Sequence, residues 1–334
     1  MLNKTQEQII AKWKSKDTDH PLVSIKCLAF NQERYIAQTL DGFLMQETDF
    51  PFTICIHDDA STDGTADIIR EYEKKYPLIF RALCQTENQW SKHDGSLTRA
   101  ANSLLNGKYI AECEGDDYWT APNKLQMQAD FLEANPDYFA IGHNVRIVDD
   151  NGTPMTQENP IWRKWFKTYT SMEDRDYTLQ DFEQGIMFGQ TCTRMYRNIF
   201  NPMSADLEKR YFDMDCTNGD VAMSLLSFCE GKVRCPSLVA ADHRKPISND
   251  SWTSKTFKKN MTRRDIVSLL EQEKFANSFG VYPNFTEQQY RHVHTSFERF
   301  LHSKSWKDFS IFVGNLWIMG HKLKFLKRLF KLGK

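Results

Sequence analysis

The stretch that most constrains this chain is Tyr109-Ile110-Ala111-Glu112-Cys113-Glu114-Gly115-Asp116-Asp117-Tyr118-Trp119. It begins as a short apolar strand and ends in three carboxylates, Glu114, Asp116 and Asp117, gathered around a glycine. Like charges this close raise one another's pKa unless a cation or a donor neutralises them, so packing alone gives no reason to collect them at a strand's end. A divalent cation does. Mg2+ and Mn2+ take hard oxygen ligands, one or two from protein carboxylates and the rest from water and substrate phosphates. A solvated acidic turn would carry the same residues, and the two readings are separated by the sequence on either side.

That sequence alternates strands with helices. Residues 22–30 read as a strand, and Asn31 and Gln32 open a helix with Ile36, Leu40, Phe43 and Leu44 at helical spacing. A second strand, residues 52–57, runs into Asp58-Asp59-Ala60-Ser61-Thr62-Asp63-Gly64-Thr65. The helix after it carries Ile68, Ile69 and Tyr72 on one face and stops before Pro77. A third strand at 79–84, a polar loop containing Trp90 and a helix near 96–105 lead to Gly107 and the Tyr109 strand. This order predicts an α/β fold with a mainly parallel sheet flanked by helices. In such sheets ligands bind outside the carboxyl ends of the strands, and Ala29-Phe30-Asn31, Asp58-Asp59 and Glu114-Gly115-Asp116 all occupy such ends. They are expected to converge on one crevice.

The second half is less regular. Residues 125–134 read as a helix closed by Asn135-Pro136, and 138–148 as a single strand leading to Asp149-Asp150-Asn151-Gly152. Residues 153–180 have no clear period and read as a long loop. Residues 188–196 read as a strand, 221–229 as a helix with Asp220 at its start, and 262–278 and 286–303 as amphipathic helices. Near the end, Phe309, Ile311, Phe312, Val313, Leu316, Trp317, Ile318 and Met319 form an apolar cluster. Six cations come after it, Lys322, Lys324, Lys327, Arg328, Lys331 and Lys334, with no acid beyond Asp308. Such a segment either lies among the headgroups of an anionic bilayer or packs on the domain with a solvated basic face, and the sequence leaves both open.

At 334 residues the chain is long enough for a substantial core, and its net charge of −1 argues against bulk nucleic-acid binding. Its eight cysteines contain no C-x-x-C pair, and Cys27, Cys55 and Cys113 fall within apolar strands, which suggests a reducing compartment. The first 20 residues lack the order of a secretory leader, and no apolar run reaches the length of a membrane span. The expected location is cytoplasmic, with peripheral contact at the inner face of the cell membrane if residues 309–334 bind lipid.

Taken together, Leu28-Ala29-Phe30-Asn31, Asp58-Asp59-Ala60-Ser61-Thr62-Asp63-Gly64-Thr65 and Glu114-Gly115-Asp116-Asp117-Tyr118-Trp119 resemble the three signatures of family 2 glycosyltransferases of GT-A fold, the type that builds bacterial capsule and cell-surface glycans. The resemblance is dense over residues 21–150, thinner to about 255 and absent beyond 260. It implies a nucleotide site formed by Leu28, Ala29, Phe30, Asn31, Asp58, Asp59, Glu114 and Gly115, with Phe30 stacked on uracil and a carboxylate of the aspartate pair accepting its N3 hydrogen. Arg99 is a further candidate, set against the diphosphate. Glu114-Gly115-Asp116 resembles the family's D-x-D signature with glutamate first, which implies Asp116 as the ligand of Mn2+ or Mg2+. Asn218-Gly219-Asp220 resembles the acid that precedes a helix and serves as catalytic base, so Asp220 takes that role. His243-Arg244-Lys245-Pro246 stands where relatives often show Tyr-Arg-x-His near the diphosphate, with Pro246 in place of the histidine. Trp252 matches an aromatic that often comes next. Asp117, Trp119, Gln190, Thr191, His243, Arg244 and Trp252 are thus candidates for the acceptor or diphosphate.

The resemblance implies an inverting, metal-dependent transfer of a sugar from a UDP-sugar to a hydroxyl of a glycan or lipid-linked acceptor. The expected division is a helical lead-in over 1–20, a GT-A domain over 21–255 with nucleotide-sugar and acceptor halves meeting near 150, and a helical extension with a basic tail over 256–334. Three rivals are weaker. A nucleotidyltransferase would carry a basic glycine-rich loop near 22–34, and none is there. A phosphoacceptor signalling domain would leave Asp116 and Asp220 unexplained. A non-catalytic carbohydrate- or nucleotide-binding protein of the same fold differs from the enzyme only in the need for Asp220.

Overall fold

The computed structural model describes residues 4–155, 169–200, 202–214, 219–245 and 262–319. The chain forms two compact units. The first comprises Met1–Tyr177, Phe188–Glu208 and Glu230–Ile247, and the second Thr178–Met187, Lys209–Cys229 and Ser248–Lys334.

The first unit is built on the alternation seen in the sequence. Its opening elements are α1 (Gln6–Ile10), β1 (Val23–Ala29), α2 (Ile36–Leu44), β2 (Phe52–Asp58), α3 (Thr65–Lys75), β3 (Phe80–Cys84), α4 (Ser96–Asn102) and β4 (Tyr109–Glu112). Strands β1 to β4 are parallel, ordered β3-β2-β1-β4, and β2 is buried along its whole length, as a strand covered on both faces must be. The apolar stripe of α2, Ile36, Leu40, Phe43 and Leu44, is fully buried. Strand register sets the first two motifs next to each other: Ala29, the last residue of β1, pairs with Asp58, the last of β2, so the residues beyond both strands emerge side by side.

Beyond β4 the chain adds β5 (Tyr118–Trp119), α5 (Lys124–Ala134), β6 (Tyr138–Ile141), β7 (Asn144–Val148) and β8 (Arg175–Tyr177). After α6 (Leu179–Glu183) in the second unit come β9 (Met195–Arg197), α7 (Ala205–Asp213), α8 (Gly219–Glu230), β10 (Lys232–Cys235) and β11 (Val239–Arg244). The large sheet has eight strands in the order β3-β2-β1-β4-β9-β6-β10-β8, with β9 antiparallel to β4 and β6, and β8 antiparallel to β10. A second sheet holds three strands, β5-β11-β7. The second unit contains α6, most of α8, and three longer helices, α9 (Thr262–Asn277), α10 (Thr286–Ser303) and α11 (Trp306–Met319).

Three expectations change. The single strand predicted over 138–148 is split between the two sheets, β6 in one and β7 in the other. The break falls at Gly142, whose N–H bonds to the Arg234 carbonyl (2.9 Å) while its α-carbon packs so close to the Phe188 carbonyl that a Cβ would overlap it. Period-two alternation runs straight through this point, so only the tertiary contact reveals it. The strand predicted over 188–196 is instead a 3-10 turn, Thr191–Thr193, leading into the short β9. Part of the long loop predicted over 153–180 is ordered as β8.

The described cysteines are all free. Among the described residues no helix is long and apolar enough to cross a membrane. Behind the acidic turn lies an unusual core group: the fully buried Lys124, whose ammonium sits 4.0 Å from the centre of the Trp119 ring and donates to Gln128 (2.8 Å). Burial pushes its pKa down to about 7. Burial, with Lys124 adding to it, also drives the neighbouring His143 down to about 3, so that imidazole is neutral.

Both packing constraints can be tested. Gly142→Ala should destabilise the chain by about 1–3 kcal/mol, read as a lower urea midpoint at unchanged slope, because the added carbon meets main chain rather than a movable side chain. Lys124 concerns pH. Its folded pKa lies below the value of about 10 for an unfolded lysine, so the unfolded chain binds more protons between the two and stability should rise with pH there, by up to ~1.4 kcal/mol per unit. Lys124→Met should abolish that slope in denaturation series spanning the same interval, and an unchanged slope would show that another group produces it.

Candidate functional site

The three motifs are joined to one another by main-chain and side-chain hydrogen bonds at the carboxyl ends of β1, β2 and β4. Asp59 N–H donates to the Ala29 carbonyl (2.9 Å), and Gly115 N–H donates to the Leu28 carbonyl (3.0 Å). Asn31 adopts a left-handed backbone (φ 53°), a region where asparagine is tolerated better than most residues. Its N–H donates to Ser61 Oγ (2.8 Å), and its side-chain oxygen accepts the Thr62 N–H (2.8 Å). Glu33 N–H donates to Asp63 (3.1 Å), and Gly64 N–H returns a bond to Glu33 (3.0 Å). Thr39 Oγ1 donates to the carbonyls of both Gly115 and Asp117 (2.9 and 2.6 Å). A Cβ on Gly115 would overlap Gln32 Oε1 and require that side chain to move; this oxygen is itself buried without a partner among the described residues.

The acids gathered here do different work. Asp58, fully buried, accepts the N–H and hydroxyl of Ser61 and so closes its own turn. Asp59, also buried, accepts the N–H groups of Gln89 (2.7 Å) and Trp90 (3.0 Å), while Asn88 donates to its carbonyl (3.0 Å). That carboxylate therefore holds the loop after β3, on which Trp90 stands 51% exposed; Phe30, at the end of β1, is 48% exposed. Two large rings left in water beside a polar strand end are a binding signal, and for Trp90 the sequence pattern alone did not mark it.

In the acidic turn Glu114 is exposed and Asp116 partly so, whereas Asp117 is buried. Asp117 Oδ2 pairs with His243 Nδ1 (2.7 Å), and Oδ1 accepts the Arg244 N–H (2.8 Å). Burial opposes its ionisation, but the charge and hydrogen bond of His243 and the Arg244 N–H outweigh it and hold its carboxyl below the usual range. Burial, then the adjacent Asp117, push Asp116 the other way, to about 6, against the pull of His243 and Lys245. Arg244 is buried between Tyr35 (4.4 Å) and Tyr118 (5.1 Å), donates to the Asp116 carbonyl, and reaches Gln38 (2.8 Å).

Cys192 joins Asp117 and His243 in a buried group whose ligand atoms lie within 4.8 Å of one another. This donor set does not suit Mg2+ or Mn2+, which prefer oxygen. Burial also keeps the Cys192 thiol protonated, with its pKa well above the ordinary value, so the group fits a hydrogen-bonded clamp. The clamp leaves His243 Nε2 buried and without a partner among the described residues. In its neutral form a histidine whose Nδ1–H is held by a carboxylate presents Nε2 as an acceptor, the arrangement usual in metal-binding histidines.

Trp119 is a core residue, with its indole N–H on the Cys192 carbonyl (2.8 Å), Phe43 at its edge (4.7 Å) and Lys124 over its face, so neither face is open to an acceptor. Arg99 on α4 is engaged by Glu208 (3.1 Å) and by the Asp94 carbonyl (2.7 Å). Gln190 is buried with its Nε2 unpartnered among the described residues, next to the half-buried Thr191. Asp220 lies in the second unit at the start of α8, half-buried, accepting the Val221 N–H (2.9 Å), with the Ser224 hydroxyl on its carbonyl (2.7 Å). Trp252 lies outside the described residues, as does Asn218.

Residues 24–200, more than half of the chain, match the family model described as glycosyl transferase family 2. Over 143 residues the chain is 40% identical to Rv1520 of Mycobacterium tuberculosis, covering 42% of this chain and 40% of that protein. Over 138 residues it is 33% identical to TuaG of Bacillus subtilis, a putative teichuronic acid biosynthesis glycosyltransferase, covering 40% of this chain and 51% of that protein. The chain thus spans about half the length, or less, of these curated relatives. S. aureus TarS, solved in complex with UDP-GlcNAc, aligns with a TM-score of 0.56 at 17% identity over 88% of this chain and 79% of that one, which shows a shared GT-A fold. A sheet of this topology, carrying these motifs at its strand ends and matched across residues 24–200, identifies the chain as a member of glycosyl transferase family 2.

Proposed function

We propose that this chain is an inverting, metal-dependent glycosyltransferase that moves a sugar from a UDP-sugar to a hydroxyl of a glycan or lipid-linked acceptor in surface polysaccharide synthesis. The observation that supports this most is the bonding of the three strand ends to one another. The Asp59-held loop, Phe30 and the Glu114–Asp116 turn come after three adjacent strands, β2, β1 and β4, which supports a nucleotide site at their carboxyl ends.

In this reading the base lies against Phe30 and Trp90. Asp59 positions Trp90 through its loop and keeps further lone pairs for the base. Glu114 serves the ribose. Asp116 and His243 Nε2 would hold Mn2+ or Mg2+, and such an ion, when bound, supplies positive charge to the departing diphosphate. The fit rests on two features: an orphaned imidazole nitrogen on a ring oriented by a carboxylate, and a neighbouring carboxyl raised to about 6 by burial and by the adjacent Asp117, an effect a cation would offset. Asp220 accepts the proton of the acceptor hydroxyl as its oxygen forms the new bond to the anomeric carbon. The bond from that carbon to the diphosphate breaks with inversion, and its electron pair leaves on UDP. A positioned base of this kind contributes about 10²–10⁴ in rate.

A panel of UDP- and GDP-sugars with Mn2+, read by thermal shift and by release of the nucleotide, tests donor and class together. Asp116→Ala should remove the Mn2+ dependence of UDP affinity in calorimetry, whereas Asp220→Asn should reduce transfer at least about 100-fold at unchanged UDP affinity. Equal transfer by Asp220→Asn and the parent would leave a binding protein of the same fold as the better reading. Trp90→Ala should weaken UDP binding about tenfold with Trp90→Phe retaining most of it, the size expected of one base stacked on one ring. Indifference of UDP to both substitutions would remove Trp90 from the site.

A further inference from the structure

Helix α11 (Trp306–Met319) is apolar on both faces. Its inner face is accounted for. Phe312, Leu316, Ile318 and Met319 pack on Ile266 of α9 and on Tyr290 and Val293 of α10, with Phe312 also 5.0 Å from the Phe297 ring and Asp308 paired to Arg299 (3.4 Å). The outer face holds Trp306, Phe309, Val313 and Trp317, at positions i, i+3, i+7 and i+11, within about 80° of one another around the axis. Trp306 is 85% exposed, Trp317 81%, Val313 43% and Phe309 36%. A soluble helix already seated on its neighbours normally turns charged residues outward, and here two indoles stand in water instead.

The surrounding charge says what covers them. From Lys304 to the end the sequence carries Lys304, Lys307, Lys322, Lys324, Lys327, Arg328, Lys331 and Lys334 against a single acid, Asp308, which is already engaged by Arg299. Between the later cations stand Leu323, Phe325, Leu326, Leu329, Phe330 and Leu332. A second copy of this chain would meet the stripe with the same positive charge. A surface that takes indole rings at its polar boundary and also attracts lysine is an anionic bilayer.

We propose that the outward stripe of α11, Trp306, Phe309, Val313 and Trp317, is a membrane-docking surface for anionic lipid, favoured by the basic composition of the sequence on either side of it. The stripe enters the headgroup layer while Lys304 and Lys307 beside it meet the lipid phosphates. This goes beyond the transferase reading and does not rest on it.

The test is flotation of the full chain with vesicles of phosphatidylcholine alone or mixed with phosphatidylglycerol, at low and high salt, beside the double variant Trp306→Ser, Trp317→Ser. Both side chains are exposed, so the variant should keep the parent's melting temperature. The parent should float with the anionic vesicles only and detach as salt rises, and the variant should partition at least about tenfold less. Equal flotation of the variant, or equal binding to neutral and anionic vesicles, would overturn the proposal. So would sedimentation showing a dimer of the parent that the two serines dissociate, because the stripe would then be an interface between copies.

Discussion

One buried carboxylate ties the chemistry of this chain to its architecture. Asp117 has left water entirely, a change that costs several kcal/mol unless donors replace the lost hydration. Here His243 and the main-chain N–H of Arg244 replace it, both from β11, so the turn after β4 is fastened to the small sheet. The same contact selects the His243 tautomer and brings Arg244 against the Asp116 carbonyl. Neither the partly exposed setting of Asp116 nor the aim of His243 would survive without it.

The acids at the strand ends thereby divide into two groups. Asp58, Asp59 and Asp117 are each engaged by the protein's own donors: one closes a turn, one holds the loop bearing Trp90, and one clamps the acidic turn. Glu114 and Asp116 retain contact with solvent. Clustered carboxylates are tolerable when the inner ones are neutralised by local donors and only the outer ones await a ligand's charge. The glycine between Glu114 and Asp116 serves the same end, since it lets the turn approach Gln32 and Ala29 closely enough for Gly115 to bond to β1.

Core and site share a boundary at Trp119. Its indole donates to the Cys192 carbonyl, and the buried Lys124 stacked on it sets a cation beside the Cys113 and Cys192 thiols, opposing the burial that raises both. A lysine in such a place is held by ring contact and by Gln128 rather than by an acid, which is why burial dominates its behaviour.

The sequence by itself determined the parallel α/β sheet, the positions of α2, α9 and α10, and the three motifs at their strand ends, because helical and strand periodicities and turn residues act over a few neighbouring positions. It could not reveal the break at Gly142, the burial of Trp119 and Asp117, the service of Asp59 to Trp90, or the outward stripe of α11. Each of these depends on partners between 30 and 127 residues away, or on which of two apolar helix faces finds a neighbour. Hydrophobicity and charge mark a residue as able to be buried, bonded or exposed, and only the packed chain chooses among these, because the choice is made by the atoms that arrive opposite it.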